Sequence, residues 1–397
     1  MQKKHLIPST IHQTTFNESF IPLVDRYKQL ETPFMLTDLD SIKENCIAFK
    51  RALPQVKLSY AVKALYSPEI VKFISKDVDG FDVASLKEIR DLLACGVEPN
   101  ALNFSNPVKS SDSIKKAYRL GVKMFAFQSL SELAKLQLQA PGASVYVRVR
   151  LKDLPSFVPL SEKFGCNPEE AVDLMLYAQR VGLKPVGLTF HVGSQLLDHD
   201  AWEGSIKFAN KIIRQAQNRG IKEAVQINIG GGFPAKYFKG DPEIEVAADY
   251  VNRSLDLKRI TYVAEPGRYI VANSSVIVSK VIGVERRNGR NWLFIDAGFF
   301  QAFLGTLHYK VFPYQPISLS HQRPERSADV QMIPYILTGP TCDSQDIIST
   351  EVLLPSDLAL EDLLVFPNSG AYTVVYGSNF NGFPVPKKYY IQGGEKI

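Results

Sequence analysis

Short apolar runs alternate with amphipathic segments between about residue 41 and residue 270. The runs are four to seven residues long and rich in β-favouring residues, and most segments between them have apolar residues at helical spacing. The predicted strands are 57–63, 80–84, 101–105, 123–127, 144–149, 187–192, 225–229 and 261–264. The predicted helices include 85–93, 111–120, 168–181 and 202–217.

Eight strand-helix units in this region predict an α/β fold, the (β/α)8 TIM-type barrel, which typically takes about 250 residues. An open doubly wound sheet shows the same alternation and is the alternative. We favour the barrel because of the strand count and because no Gly-x-Gly-x-x-Gly turn follows the first strand. The predicted barrel domain spans residues 41–270.

After residue 270 the pattern becomes β-rich, without comparable helices. We assign residues 271–397 to a second, mostly β domain. The predicted strands are 269–285, 292–295, 333–337, 363–366 and 372–376. Asn288-Gly289 predicts a tight hairpin turn between the first two. The segment 315–329, rich in Pro, Ser and Arg, is expected to be a surface loop.

Residues 1–40 are predicted to be an N-terminal segment. It is polar and irregular up to about residue 32, apart from a short apolar patch at 20–24. A strand at 33–37 is expected to join the β domain. Asp40 and Ser41 are expected to cap the helix that follows.

Composition and charge narrow the class of protein. Of 397 residues, 45% are hydrophobic and 22% charged, which is ordinary for a globular protein, and the mild net charge of +5 does not indicate nucleic-acid binding. The four cysteines lack CxxC spacing and the six histidines lack HExxH spacing, so neither a disulfide framework nor a metal site is predicted. The chain shows neither the apolar core of a signal peptide nor a run of roughly 18 to 20 apolar residues. We therefore expect a cytoplasmic protein without membrane contact.

Functional side chains follow the predicted barrel strands. In a β/α barrel the active site lies at the C-terminal ends of the strands. The groups at these ends are Lys63, Asp82, Asn106, Arg148, His191, Gly230-Gly231-Gly232 and Glu265. An amine, two acids, an imidazole, a cation and a glycine run around one ring predict an active site there.

The lysine and the glycine run suggest specific chemistry. A lysine at the end of a buried strand snorkels, pairs or has its pKa lowered, and in the last case it becomes a nucleophile towards carbonyls. Three glycines let backbone N–H groups approach a phosphate closely. Each has a structural alternative: Lys63 can merely snorkel, and the glycines can form a flexible turn.

Other motifs are ambiguous when taken alone. His191 can be a structural histidine, and the segment 265–268 can be a strand-end salt bridge with a turn. Cys342, beside Asp343 in the loop segment 339–346, can be a small buried hydrophobe.

Together and in this order, these motifs resemble those of the alanine-racemase-like pyridoxal-phosphate decarboxylases, and among them the ornithine/lysine type. The matching segments are YAVK (60–63), FDVAS (81–85), VRV (147–149), HVGSQ (191–195), GGG (230–232), EPGR (265–268), GPTCDSQD (339–346), GAYT (370–373) and FNGFP (380–384). The resemblance covers residues 30–392. It implies a barrel that binds pyridoxal 5'-phosphate, a C-terminal β domain and a homodimer with active sites at the interface. The implied reaction is decarboxylation of ornithine or lysine to a diamine, in polyamine biosynthesis.

The resemblance also implies roles for individual residues. Lys63 would bind the cofactor covalently, His191 would stack on its ring, and Glu265 would face the ring nitrogen and keep it protonated. Cys342 would return a proton to the decarboxylated carbon. The other implied cofactor-binding residues are Asp82, Arg148, Ser194, Gly231, Gly232, Gly267, Arg268 and Tyr372, of which Ser194, Gly232, Arg268 and Tyr372 would hold the phosphate. The implied substrate-binding residues are Asp296 and Asp343, which would receive the distal amine, and Phe380.

Departures from the family pattern leave the substrate open. They are Ala64-Leu65 after the lysine, Asn228 before the glycine run, where many relatives carry Asp, and the Pro-rich apolar loop at 151–165. The alternatives are a decarboxylase for diaminopimelate or for a siderophore or antibiotic intermediate. A non-catalytic, partner-binding relative is a further alternative, although it would be expected to have lost Lys63 or the phosphate ligands.

Overall fold

The computed structural model describes residues 15, 17–151, 163–198, 200–256, 258, 260–308, 313–319 and 330–397. The chain divides into two compact units. The barrel unit contains Lys43–Pro234 and Pro242–Ile270, and the sheet unit contains Met1–Ile42, Ala235–Asp241 and Val271–Ile397. Within the described ranges, no helix is both long and apolar enough to cross a membrane.

The first strand, β1 (Phe34–Asp38), belongs to the sheet unit, and the next eight close into a parallel barrel. Each barrel strand pairs with the next in the chain, and the last pairs with the first. The strands are β2 (Val56–Ala61), β3 (Gly80–Val83), β4 (Leu102–Phe104), β5 (Met124–Phe127), β6 (Ser144–Arg148), β7 (Lys184–Thr189), β8 (Gln226–Asn228) and β9 (Thr261–Ala264). The predicted barrel is therefore confirmed, and the open sheet is excluded.

Ten α-helices lie within the described ranges, and serine side chains begin several of them. Ser67, Ser85, Ser110 and Ser129 each accept a hydrogen bond from the backbone N–H three residues ahead, which satisfies a donor that the helix leaves unpaired. The helices are α1 (Phe20–Arg26), α2 (Leu39–Ala52), α3 (Pro68–Ile74), α4 (Leu86–Ala94), α5 (Ser111–Arg119), α6 (Leu130–Gln139), α7 (Pro168–Arg180), α8 (Asp200–Asn218), α9 (Ile244–Asn252) and α10 (Arg268–Val271).

The sheet unit contains a mixed sheet whose main path runs β14-β13-β11-β10-β1-β16-β17, with β15 paired to β10 and β12. β1 pairs antiparallel with β10 and parallel with β16. The strands after the barrel are β10 (Ser275–Arg287), β11 (Arg290–Ile295), β12 (Ile317–Ser318), β13 (Met332–Thr338), β14 (Ile347–Pro355), β15 (Leu363–Phe366), β16 (Lys387–Gln392) and β17 (Glu395–Lys396). The predicted hairpin is confirmed: Asn288 and Gly289 both have positive φ, 52° and 74°, between β10 and β11.

Near the N-terminus the structure corrects two predictions. The apolar patch at 20–24 is helical rather than irregular, because Phe20 and Val24, one turn apart in α1, are buried in a core with Phe34 of β1. The cap of α2 is Asp38 rather than Asp40 or Ser41. Its carboxylate accepts hydrogen bonds from Asp40 N at 3.1 Å and Ser41 Oγ at 2.6 Å.

Several predicted strands were also too long. β2 ends at Ala61 and β7 at Thr189, each before the functional residue that was assigned to the strand end. The stretch at 269–274 is helical, so β10 begins at Ser275. The segment 372–376 is not a strand, because Tyr372 has a φ of 57° and a 3-10 turn follows. Most of the loops at 151–165 and 315–329 lies outside the described residues.

Candidate active site

Lys63 lies beside a buried carboxylate, just beyond the C-terminal end of a barrel strand. A 3-10 turn, Val62–Ala64, follows β2 and carries the lysine. Its Nζ is 2.5 Å from Asp82 Oδ2, and Ser105 Oγ donates a hydrogen bond to Asp82 Oδ1. The Asp82 side chain is 1% exposed and that of Lys63 is 43% exposed. The carboxylate is therefore fixed in place and holds an amine that a ligand can reach.

Glu265 follows β9 and is held by its neighbour on β8. Asn228 Nδ2 donates a hydrogen bond to Glu265 Oε1, and the backbone N–H of Glu265 donates to Gly230 O at 2.8 Å. Burial raises the pKa of the Glu265 carboxyl to about 7, and the charge of Asp82 adds to the rise. Oε2 accepts no hydrogen bond from any described residue. One oxygen is thus committed within the protein, and the other remains available to a donor.

His191 is a neutral ring at this site. Burial lowers the pKa of its imidazole well below the ordinary range, and the positive charges of Arg148 and Lys63 lower it further. Gly193 N–H donates to His191 Nδ1 at 2.9 Å. A neutral ring that accepts at Nδ1 carries its hydrogen on Nε2. A Cβ on Gly231 would lie 3.2 Å from that Nε2, so a glycine leaves the ring unobstructed there.

Arg148 ends β6 among charged groups of the barrel. Burial lowers the pKa of its guanidinium, whereas the carboxylates of Glu265 and Asp82 raise it. An arginine remains protonated even when its pKa falls moderately. Arg148 therefore places a permanent positive charge near both acids. Tyr146, two residues earlier, is also buried, and its hydroxyl has no hydrogen-bond partner among the described residues.

A glycine-lined anion site lies next to Glu265. Gly230 and Gly232 have φ values of 70° and 105°, which side-chain-bearing residues rarely adopt. A Cβ on Gly232 would lie 2.4 Å from a backbone carbonyl oxygen, and a Cβ on Gly267 would lie 2.8 Å from another Cβ. Arg268 Nε and Nη2 both lie 3.3 Å from Ser194 Oγ. A guanidinium, a hydroxyl and close-packed backbone together suit a phosphate.

In the sheet unit, Cys342 is exposed and contacts an asparagine. Asn381 Oδ1 accepts from Cys342 N at 3.2 Å and lies 3.3 Å from Cys342 Sγ. The preceding Phe380 is also exposed, with its ring centroid 5.0 Å from that of Phe300. Cys342 and Phe380 are thus brought close together through the neighbouring Asn381.

The other predicted residues of the sheet unit have separate local roles. Asp296 Oδ1 accepts from Ser279 Oγ at 2.6 Å and from Lys280 N at 2.9 Å, so one of its oxygens fixes the start of a chain reversal. Asp343 accepts a backbone hydrogen bond from within its own loop at 2.8 Å. Tyr372 has the positive φ described above. The structure does not bring these three into one cluster within the sheet unit.

Sequence reasoning missed some contacts of the site. Asn106 was chosen as a strand end, but its side chain instead organises the turn, with Nδ2 3.4 Å from Ala84 O, while Ser105 before it contacts Asp82. Asn228 was noted only as a departure. Polar residues directly at a strand end, rather than one residue later, were the signal for Ser105 and Asn228.

The barrel residues fit pyridoxal phosphate. This cofactor needs an amine for its aldehyde, an acceptor for its ring nitrogen and an anion site for its phosphate. Lys63 offers the amine, and Glu265 Oε2 is an unpaired acceptor in a buried carboxylate. Ser194, Arg268 and the glycine run form the anion site.

Comparison with known protein families gives two matches that extend over both units. Residues 39–272 match the pyridoxal binding domain of the pyridoxal-dependent decarboxylases. Residues 176–370 match the C-terminal sheet domain of the same family.

Individual relatives agree with the family match. The chain is 33% identical over 360 residues to a lysine/ornithine decarboxylase of Selenomonas ruminantium, covering 90% of this chain and 88% of that protein. A solved structure of lysine/ornithine decarboxylase from Vibrio vulnificus, complexed with cadaverine, is 30% identical with a TM-score of 0.86, covering 95% of this chain and all of that one. The arginine decarboxylase of Paramecium bursaria Chlorella virus is 29% identical with a TM-score of 0.86, covering 94% and 100%.

The family matches and the barrel site agree on the cofactor, which is pyridoxal phosphate. With the predicted cofactor and reaction class confirmed, the chain belongs to the pyridoxal-dependent decarboxylases.

Proposed function

We propose that this decarboxylase acts on a basic L-amino acid, ornithine or lysine, and releases the diamine putrescine or cadaverine for polyamine biosynthesis. The observation that carries the proposal is similarity over nine-tenths of the chain to proteins named as lysine/ornithine decarboxylases. Solved structures of such enzymes are complexed with cadaverine and with putrescine.

The barrel residues would bind and orient the cofactor. Lys63 Nζ would bond it covalently, with Asp82 holding the amine before it reacts. Glu265 Oε2 would accept the ring N–H, and neutral His191 would pack on the ring without adding charge. The residues for the phosphate are Ser194, Gly231, Gly232, Gly267, Arg268 and Tyr372. When bound, pyridoxal phosphate supplies the electron sink that accepts the electron pair left by departing CO2.

The sheet unit would supply the groups that act on the substrate. Cys342 Sγ–H would deliver a proton to the carbon that has lost CO2. Asp343 would bind the distal ammonium with a charge-assisted hydrogen bond, with Asp296 contributing its uncommitted oxygen. Phe380, exposed next to Asn381, would line the substrate's apolar chain.

A second candidate substrate is arginine. The similarity to a viral arginine decarboxylase, also solved bound to agmatine, is as extensive as that to the lysine/ornithine enzymes. Purified protein should be supplied with pyridoxal phosphate and offered L-ornithine, L-lysine, L-arginine and diaminopimelate, with Lys63→Ala as the inactive control. Release of putrescine or cadaverine supports the proposal. Agmatine alone would establish the second candidate, and no amine from any substrate would contradict both.

We also propose a homodimer with composite active sites. The support is that the proposed proton donor, Cys342, and the cofactor lysine, Lys63, belong to separate compact units of the chain. Mixing Lys63→Ala with Cys342→Ala protein should place both defects in one site of a mixed dimer and leave the other intact. If subunits exchange freely, roughly a quarter of the wild-type activity should return. Free exchange without recovery would rule out sites shared in this way.

A further inference from the structure

Asn228, the last residue of β8, is engaged at both ends of its amide. Nδ2 donates to Glu265 Oε1, and Oδ1 accepts from Gly230 N at 2.8 Å. The residue is 1% exposed. Its side chain therefore connects the glycine run to the acid at the end of the neighbouring strand.

We propose that Asn228 is a positioning residue that holds Glu265 as an oriented carboxylate, with Oε2 free for the ring nitrogen of the cofactor. The inference rests on the role of Glu265 in the proposed function. It concerns how this chain, with an amide at this position, keeps the acid in its working state.

The chemistry of the two contacts allows only one arrangement of the amide. Gly230 N–H requires an acceptor and Glu265 Oε1 requires a donor, so a flipped amide would lose both hydrogen bonds. An aspartate at 228 could still accept from Gly230 N–H, but it would turn a second oxygen towards Glu265 Oε1. Two carboxylates at that distance must share a proton, or else repel each other.

The electrostatic surroundings make this donor important. Burial and the charge of Asp82 disfavour the ionised form of Glu265, whereas Lys63, the Asn228 hydrogen bond and Arg148 favour it. Tyr146 also faces the carboxylate electrostatically. Asn228 is the one neutral group among those that favour the charge, so it supports the carboxylate at every pH.

Cofactor binding to the cofactor-free protein provides the test. The dissociation constant for pyridoxal phosphate is measured from pH 6 to pH 9 for wild type, Asn228→Asp and Asn228→Ala. Each result is expressed as the ratio of variant to wild type, which cancels ionisations common to both proteins. Circular dichroism confirms that each variant is folded.

The two variants should depart from wild type in opposite directions with pH. In Asn228→Asp a proton shared with Glu265 can replace the amide donor at low pH, so the ratio should be near one at pH 6 and rise about tenfold or more by pH 9. In Asn228→Ala the carboxylate loses a donor, so the ratio should be largest at low pH and shrink as the pH rises. In a Glu265→Gln background, both ratios should become independent of pH.

Ratios that do not change with pH in the wild-type background would overturn the proposal and leave Asn228 a spacing role only. A rise for Asn228→Asp that persists in the Glu265→Gln background would overturn it too, because the effect would not pass through Glu265. The measurement uses no substrate. Its outcome is therefore independent of which amino acid the enzyme decarboxylates.

Discussion

Replacing Glu265 by Gln is expected to remove a pH dependence from the stability of the cofactor-free protein. Glu265 is 6% exposed, and burial raises the pKa of its carboxyl from the ordinary 4.5 to about 7. The folded protein thus binds this proton more tightly than the unfolded chain does. The resulting stabilisation is fully present below pH 4.5 and is lost as the pH rises through 7.

The size of the effect follows from the two pKa values. A tenfold difference in proton affinity corresponds to about 1.4 kcal/mol, so this group alone should lower the free energy of unfolding by about 3 kcal/mol between pH 4.5 and pH 8. Glutamine has nearly the same shape and can accept from Asn228 without titrating. The difference in unfolding free energy between wild type and Glu265→Gln should therefore change by the same amount.

Urea unfolding can be restricted to the barrel unit. The chain has two tryptophans, and Trp202 is buried in the barrel unit, stacked on Phe233 with ring centroids 4.6 Å apart. In a Trp292→Phe background, its fluorescence reports the barrel unit alone. Glu69→Gln, at an exposed position, is the surface control and should track wild type. A difference between wild type and Glu265→Gln that stays within about 1 kcal/mol over the whole range would refute the reasoning.

Two further predictions concern a buried ion pair and the distal end of the substrate. Lys109→Met should cost about 3–5 kcal/mol of stability, because Lys109 Nζ lies 2.9 Å from Glu132 Oε1 with both side chains at most 2% exposed. Lys116→Met, which breaks a surface pair with Asp112, should cost less than about 1 kcal/mol in the same urea assay. Asp343→Ala should raise KM for the preferred diamino acid roughly 10- to 100-fold with cofactor affinity unchanged. An equal loss on a substrate without the distal amine would indicate that Asp343 only orders its loop.

The barrel could be predicted from sequence because its information is local. Each strand is a short apolar run and each helix has its own period and cap, so the alternation survives errors of two residues at the strand ends. Lys63 and His191 were identified although neither lies in a strand, because a barrel gathers the turns after its strands as well as the strand ends. The functional group needed only the right end of the barrel, not the right residue boundary.

Features that depend on distant partners could not be predicted. Tyr372 lies in an apolar, β-favouring stretch, yet its positive φ ends any strand there. Phe20 and Val24 gain their helix from burial against β1 and the sheet, which no local pattern records. Asn228 is an ordinary strand residue until Glu265, 37 positions later, is placed beside it. Propensity describes segments, whereas these features are properties of pairs.

The position of β1 has a consequence for synthesis on the ribosome. This strand emerges among the first residues, but it pairs on one side with β10 and on the other with β16, which ends at Gln392. All eight barrel strands have been translated by Ala264, so the barrel can close while β1 still lacks both partners. Until then its buried side chains, Phe34, Met35 and Leu36, have no sheet to cover them. We expect the nascent chain to be most prone to aggregation or chaperone capture in this interval, and a chain that stops before β16 to keep one edge of β1 unpaired.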